Sequence, residues 1–314
     1  MNIIEFYKRI KSIQLLRKTG NLLEAERRLT EIAPVASSHG AFFSEAVKTQ
    51  LTGYGLPCEP AGHISVRCLG NYGRFGNQIL QYMAVRCLSL KLNLIPHTPI
   101  WIGNFLFPLP ILDRTCNFQE IDRSVLAEIF DGKLFGANFD IGTFLPVFSQ
   151  VEPFLPILRS DLQLLPRIRI SNDLDDLGFR PNSSYVAHLR LGDFMPTKKE
   201  RIVETERLIF RIAELNLANP IWLCTDSPEA IEECNIPLPS NVRLLAKSIR
   251  YPRMDWLYSW MMIRLAGLRI LNAPSTFSET ATWLGDENSI TLKLWSDAPS
   301  ANCYDRVQAG TAKI

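Results

Sequence analysis

Three short stretches gather glycines and polar side chains where a strand-type run gives way to a helical one. The first is Gly70-Asn71-Tyr72-Gly73-Arg74-Phe75-Gly76-Asn77-Gln78. Its glycines let the backbone turn tightly and approach a ligand, and the amides that open the next helix point toward whatever anion lies there. The spacing is not G-x-G-x-x-G, so a dinucleotide fingerprint is a poor match, and a plain tight turn explains the glycines equally well. Asn77 either caps the helix or offers a donor to a phosphate or sugar. The second stretch is Val186-Ala187-His188-Leu189-Arg190-Leu191-Gly192-Asp193, where alternation places His188 and Arg190 on one face of a strand at its exit. An arginine there needs either a carboxylate, with Asp193 the internal choice, or a bound anion.

The third stretch is Asn272-Ala273-Pro274-Ser275-Thr276-Phe277-Ser278-Glu279. Thr276 with Glu279 fits a capping box. That still leaves a Ser-Thr-Phe-Ser run offering hydroxyls and amides to a phosphate and one ring to a base. Asp173-Leu174-Asp175 spells the D-x-D often used for metal-bound nucleotides, but it lies in a polar stretch away from any strand end. It reads as a solvated acidic loop rather than a metal site.

The elements that must position these residues follow from periodicity. Residues 3 to 33 carry apolar positions at helical spacing on either side of Thr19-Gly20-Asn21, a helical hairpin. It reads as a cap on the main body, with a partner- or acceptor-binding appendage as the sharper alternative. Ile64 to Leu69 is a short strand-type run, and Gln78 to Leu92 carries a helical stripe of Leu80, Met83, Ala84, Cys87 and Leu88. Residues 95 to 165 are rich in Pro, Phe and Leu and give no clear order. Arg167 to Pro181 reads as a linker. Beyond it, strands at Tyr185 to Leu191, Ile221 to Cys224, Val242 to Ala246, Arg269 to Leu271 and Ile290 to Leu294 alternate with helical patterns, among them Val203 to Leu217 and Asp255 to Leu265. That alternation predicts an α/β fold with a parallel sheet, whose ligand sits beyond the carboxyl ends of the strands.

Size and charge narrow the function. At 314 residues and 46% hydrophobic the chain can build two domains, and a net charge of +2 argues against a broad nucleic-acid surface. Any anion must be met by a few placed cations. No apolar run approaches the roughly 18 residues that cross a bilayer, and Glu5, Lys8, Arg9 and Lys11 interrupt any signal-peptide core, so a cytoplasmic protein is expected. Seven cysteines (58, 68, 87, 116, 224, 234, 303) form no C-x-x-C pair, which suits reduced thiols better than disulfides or structural zinc.

Gly73-Arg74-Phe75-Gly76-Asn77-Gln78, His188-Leu189-Arg190-Leu191-Gly192-Asp193 and Ser275-Thr276-Phe277-Ser278 resemble, in order and spacing, the three signature motifs of the fucosyltransferase superfamily that contains α-1,2-fucosyltransferases and protein O-fucosyltransferases. Cys224-Thr225-Asp226-Ser227 resembles the protein O-fucosyltransferase pattern, and Asp255 before a helix is similar in place to an acid that helps read guanine. The resemblance covers about residues 64 to 295. It implies a GT-B architecture of two Rossmann-like domains facing a cleft: a helical extension over 1–60, an acceptor-side domain over 61–170 and a GDP-sugar domain over 171–314. It implies inverting, metal-independent transfer of fucose from GDP-fucose to a glycan or to a Ser/Thr hydroxyl.

In that scheme Arg190 and Asn77 are catalytic, Arg190 meeting the charge on the departing β-phosphate and Asn77 reaching it from the opposite domain on closure. Donor binding falls to Gly73, Arg74, Phe75, Gly76, His188, Asp226, Asp255, Ser275, Thr276, Phe277 and Ser278. Two departures stand out: Leu191, where many α-1,2 enzymes have a second arginine, and Glu279-Thr280, where they often have aromatic residues. They leave open a transferase using another GDP-sugar and a non-catalytic nucleotide-sugar-binding or adaptor protein. Neither Asp193 nor Glu279 is assigned as a general base.

Overall fold

The computed structural model describes residues 62–109, 118–120, 138–165, 168, 170–191, 199–215, 217, 219–245 and 254–294, with Ser12, Glu24 and Arg28. The chain divides into two compact units, Met1–Ile168 and Arg169–Ile314. The helical extension expected over 1–60 lies, apart from those three residues, outside the described residues. So do Asp193 and the cysteines at 58, 116 and 303. Cys68, Cys87, Cys224 and Cys234 are free thiols. No helix among the described residues is long and apolar enough to cross a membrane.

In the first unit, β1 (Gly62–Ser65), β2 (Leu94–His97), β3 (Gln119–Glu120) and β4 (Phe139–Asp140) form a parallel sheet in the order β2-β1-β4-β3. Parallel neighbours require a crossover, and α1 (Phe75–Leu92) supplies the one between β1 and β2. The expected strand over Ile64 to Leu69 is shorter and earlier. It gives way after Ser65 to a turn in which the Leu69 amide donates to Val66 O at 3.0 Å. The helix in turn begins three residues before the expected Gln78. Nor is it amphipathic: from Phe75 to Leu90 every residue but Asn77 is buried. Tyr82, Arg86 and Ser89 find partners there, whereas the buried Gln81 carboxamide has none among the described residues. The Arg86 guanidinium donates to Asp161 at 2.7 Å, and the Tyr82 hydroxyl donates to the same carboxylate oxygen at 3.1 Å. Asp161 ends α4 (Leu155–Asp161), which follows the short helices α2 (Gly103–Leu106) and α3 (Phe148–Val151). The ion pair thus ties the crossover helix to an element about 75 residues away.

The second unit opens with α5 (Ile170–Asp176), where a linker was expected. Ile170 and Leu174 bury one side of this helix of about two turns, and the D-x-D residues are held on it. Asp173 accepts from the Tyr258 hydroxyl, and Asp175 pairs with Arg180 at 3.2 Å on the surface. Next come β5 (Tyr185–Leu189), α6 (Lys199–Glu214), β6 (Ile221–Thr225), α7 (Pro228–Glu233), β7 (Val242–Leu244), α8 (Asp255–Leu265), β8 (Leu268–Leu271), α9 (Thr276–Leu284) and β9 (Ile290–Lys293). All five strands are parallel, in the order β7-β6-β5-β8-β9. Within this unit the spatial order is third, second, first, fourth, fifth. The direction of winding therefore reverses between β5 and β8, and at such a switch point the strand ends leave a crevice for a ligand.

Alternation along β5 sorts its side chains between two helical layers. Ala187, Leu189 and Leu191 join Ile209 and Ile212 of α6 and Ala230 and Ile231 of α7 in one core. Val186, His188 and Arg190 have the opposite parity and face the layer made by α8 and α9, where the His188 ring lies 5.5 Å from that of Phe277. The same face of β8 carries Arg269, 1% exposed. It caps the end of α8 by donating from Nε to Ile263 O at 2.8 Å and from Nη2 to Arg264 O at 3.2 Å.

Candidate functional site

The last ladder pairs of β5 are Leu189 with Thr225 on one side and His188 with Leu271 on the other. Arg190 and Leu191 lie past them, yet neither main-chain amide is left open. The Arg190 amide donates to Asn272 Oδ1 at 2.8 Å and the Leu191 amide to Asp226 Oδ1 at 2.9 Å. Each acceptor is the residue directly after a neighbouring strand, so the two strands flanking β5 each extend one side chain to hold it.

So held, the half-buried Arg190 side chain meets the start of α9, and its Nη1 donates to Ser275 Oγ at 3.1 Å. Among the described residues this is its only side-chain bond, and no carboxylate lies at ion-pair distance. A guanidinium has five N–H donors, so the described residues use only a small part of its capacity. Ser275 is the N-cap of α9, but its hydroxyl does not bond the helix's own amides. The capping box expected from Thr276 and Glu279 is therefore absent: Thr276 is already the first helical residue, and the capping oxygen has been turned toward Arg190. Ser278 is buried and spends its hydroxyl on Ser275 O at 3.2 Å, which makes it a structural member of the turn. Phe277 is half-buried over His188, and Thr276 is half-buried at the helix start, among amides that an α-helix leaves without intrahelical acceptors.

His188 is 3% exposed, and its Nδ1 has no hydrogen-bond partner among the described residues. Burial pushes its pKa down to about 4; Asp226 opposes the shift and Arg190 adds to it. The ring is neutral at pH 7, so the local positive charge belongs to Arg190. Asp255 opens α8, with Oδ1 accepting from the Trp256 amide at 2.8 Å. Burial raises its pKa above the ordinary carboxylate value, and the Trp256 amide bond works against that. It lies beside Cys224 rather than against Arg190, and its field helps burial lift that thiol to about 12.

The glycine-spaced loop belongs to the first unit. Arg74 is the exposed N-cap of α1, in extended conformation, while Phe75 and Gly76 are buried. Asn77, third in the helix, is half-buried. Gly73 has φ +75°, and a Cβ added there would lie 2.4 Å from Asn77 Nδ2, so both the turn and the seat of the asparagine require glycine. The N-cap itself is Arg74, which forms no side-chain cap. The loop's approach is braced by Asp140. This carboxylate accepts from the Ser65 hydroxyl, from Arg67 N at 2.9 Å and Nε at 3.1 Å, and from Gly142 N at 2.8 Å.

Of the residues singled out in sequence, the fold brings together His188, Arg190, Ser275 and Phe277, with Asp226 holding the backbone beneath them. Asn272 escaped the sequence reading as a site residue. Its signal was position: it follows β8 as Asp226 follows β6. Leu191, the departure from the double-arginine pattern, is 5% exposed and packs on the α6 and α7 side, a place for an aliphatic side chain rather than a second cation.

No protein-family model matches the chain, and no curated protein sequence matches it. Solved structures do. The α-1,6-fucosyltransferase NodZ soaked with GDP-fucose superposes with a TM-score of 0.53 at 14% identity, covering 71% of this chain and 93% of that one. NodZ co-crystallised with GDP gives 0.51 at 13% identity over 71% and 93%. NodZ from Bradyrhizobium gives 0.51 at 14% identity over 71% and 94%. At these identities the likeness is one of fold, and the fold is that of the NodZ fucosyltransferases.

Proposed function

We propose that the protein is an inverting, metal-independent fucosyltransferase that takes fucose from GDP-fucose to a hydroxyl of a glycan or of a Ser/Thr side chain. The observation that carries this reading is Arg190: a half-buried guanidinium at the switch point of a parallel sheet, beside a helix N-terminus, with a neutral hydroxyl as its described side-chain partner. Two features support it: the NodZ fold, and the solved NodZ complexes with GDP and with GDP-fucose. In transfer by inversion the acceptor oxygen bonds to C1 of the sugar as the C1–O bond to the β-phosphate breaks. The pyrophosphate leaves with the bonding pair, and the acceptor loses its proton. Negative charge grows on the β-phosphate, and that is what Arg190 and the first-turn amides of α9 stabilise.

In this reading residues 171–314 are the GDP-sugar half and residues 61–170 the acceptor half of a GT-B enzyme. Ser275 and Thr276 bind phosphate, Phe277 packs on the nucleoside, Asp255 reads guanine, and Asn77 meets the pyrophosphate from the acceptor half. The test is a panel of GDP-sugars assayed for donor turnover, together with GDP binding by calorimetry, on the full chain and on Arg190→Ala. GDP-fucose is the expected donor, and the variant should lose turnover by about 1000-fold, comparable to removing a charge-stabilising donor elsewhere. A folded Arg190→Ala protein with unchanged turnover would reject the assignment. Preference for another GDP-sugar would change the donor and keep the reaction class.

A further inference from the structure

We propose that Asn272 is a positioning residue for Arg190, replacing with its side chain a main-chain carbonyl that the sheet would otherwise have to provide. This rests on the reading of Arg190 as the group that meets the leaving pyrophosphate. In a parallel ladder a bridging residue donates its amide to one neighbour on the opposite strand and accepts at its carbonyl from the residue two further along. Asn272 performs the first half with its main chain, its amide donating to His188 O at 3.4 Å. It performs the second half with its side chain, Oδ1 accepting from the Arg190 amide at 2.8 Å.

The substitution has a consequence for shape. With the carboxamide standing in for the carbonyl, the chain leaves the sheet at once through Ala273 and Pro274 and delivers Ser275 to the start of α9. β5 meanwhile stays pinned at Arg190, two residues beyond its last regular pair with β8, His188 with Leu271. Asp226 pins the next amide, that of Leu191, from the other side at 2.9 Å. Arg190 is thus anchored by its own amide and by that of its successor, and its guanidinium reaches Ser275 Oγ from a fixed base. A valine at 272 could continue the strand but could not supply that oxygen.

The test compares the full-chain protein with Asn272→Ala, Arg190→Ala and the double variant. It follows kcat and KM for GDP-fucose turnover, GDP affinity by calorimetry, and folding by circular dichroism. Loss of anchoring displaces the guanidinium without removing it, so Asn272→Ala should lower kcat by about 10- to 100-fold and move KM by less than about threefold. In the Arg190→Ala background the same change should cost less than about twofold, because residues acting through one group are not additive. Asn272→Ser, which leaves a smaller void, serves if the alanine variant does not fold, and should show the same non-additivity. Independent, multiplying losses, or an unchanged kcat in a folded Asn272 variant, would overturn the proposal while leaving the function standing. Full turnover in Arg190→Ala alone would remove both.

Discussion

The carboxyl ends of the two parallel sheets occupy equivalent places in their units and use polar residues in opposite ways. In the first unit the strand ends close on themselves. Asp140 receives four donors from Ser65, Arg67 and Gly142, and the Cys68 thiol donates to Gly142 O at 2.6 Å. Deeper in the same unit, Arg86 and Asp161 satisfy each other in a fully buried pair. In the second unit Asn272 and Asp226 bind backbone, and among the described residues the half-buried Arg190 has one side-chain bond and His188 Nδ1 has none. Polar groups that are fully satisfied within the fold contribute to its stability. On the proposed function, those held in place with few internal partners are the groups that meet the nucleotide, and the fold bears the cost of holding them.

Substitutions should separate the two classes. The largest effect on stability is expected from Asp161→Ala, which strands the Arg86 charge in the interior and should cost about 3–5 kcal/mol in denaturant unfolding. The protein that remains folded should bind GDP as before; a matching loss of GDP affinity would erase the distinction between the units.

His188 comes next. In the unfolded chain it titrates near 6.5, and in the native state near 4. Between these values the unfolded chain takes up a proton that the native state refuses. Stability is therefore fully present above pH 6.5 and falls as the pH drops toward 4, by about 3 kcal/mol over the whole range. Unfolding midpoints measured from pH 4 to 7 should show this slope, and His188→Phe, which keeps an aromatic ring against Phe277, should flatten it. An identical slope in both proteins would mean that carboxylates govern the acid limb.

Asp140→Ala should destabilise by about 2 kcal/mol, since it leaves buried donors unsatisfied, again with GDP binding intact. The smallest effect is also the most discriminating. Ser275→Ala should weaken GDP binding several-fold, about 1 kcal/mol, with almost no change in melting temperature, because the hydroxyl faces Arg190 rather than the helix amides. A stability loss typical of a removed N-cap, with GDP affinity unchanged, would return Ser275 to an ordinary capping role.

Much of the second unit could be read from the chain because its evidence is local. Strand runs and helical patterns alternate with little interruption: the strands expected from Val242 and from Ile290 start there and end two residues and one residue early, and β8 starts one residue before the expected Arg269. The misreadings share a cause. Residues 170 to 176 looked like a linker because Asn172-Asp173-Leu174-Asp175-Asp176 is polar, but Ile170 and Leu174 are four apart and bury one side. The helix from Phe75 looked amphipathic because Gln81, Arg86 and Ser89 interrupt it. The burial of Arg86 became legible only when Asp161 was brought to it, and nothing in the described residues explains that of Gln81.

By itself the sequence determined the α/β alternation, the parity that sets His188 and Arg190 on one face, and the three glycine- or hydroxyl-bearing strand exits. These depend on neighbours within a few residues, where the geometry of strand and helix is fixed. Only the tertiary structure decided that β5 and β8 are adjacent, so that Asn272 meets an amide 82 positions away. It likewise decided that Ser275 serves Arg190 instead of its own helix, and that Leu191 belongs to the core. Those choices follow from strand order, which no local pattern encodes, because parallel neighbours are joined through crossovers of many residues and their pairing is settled by burial of the whole sheet.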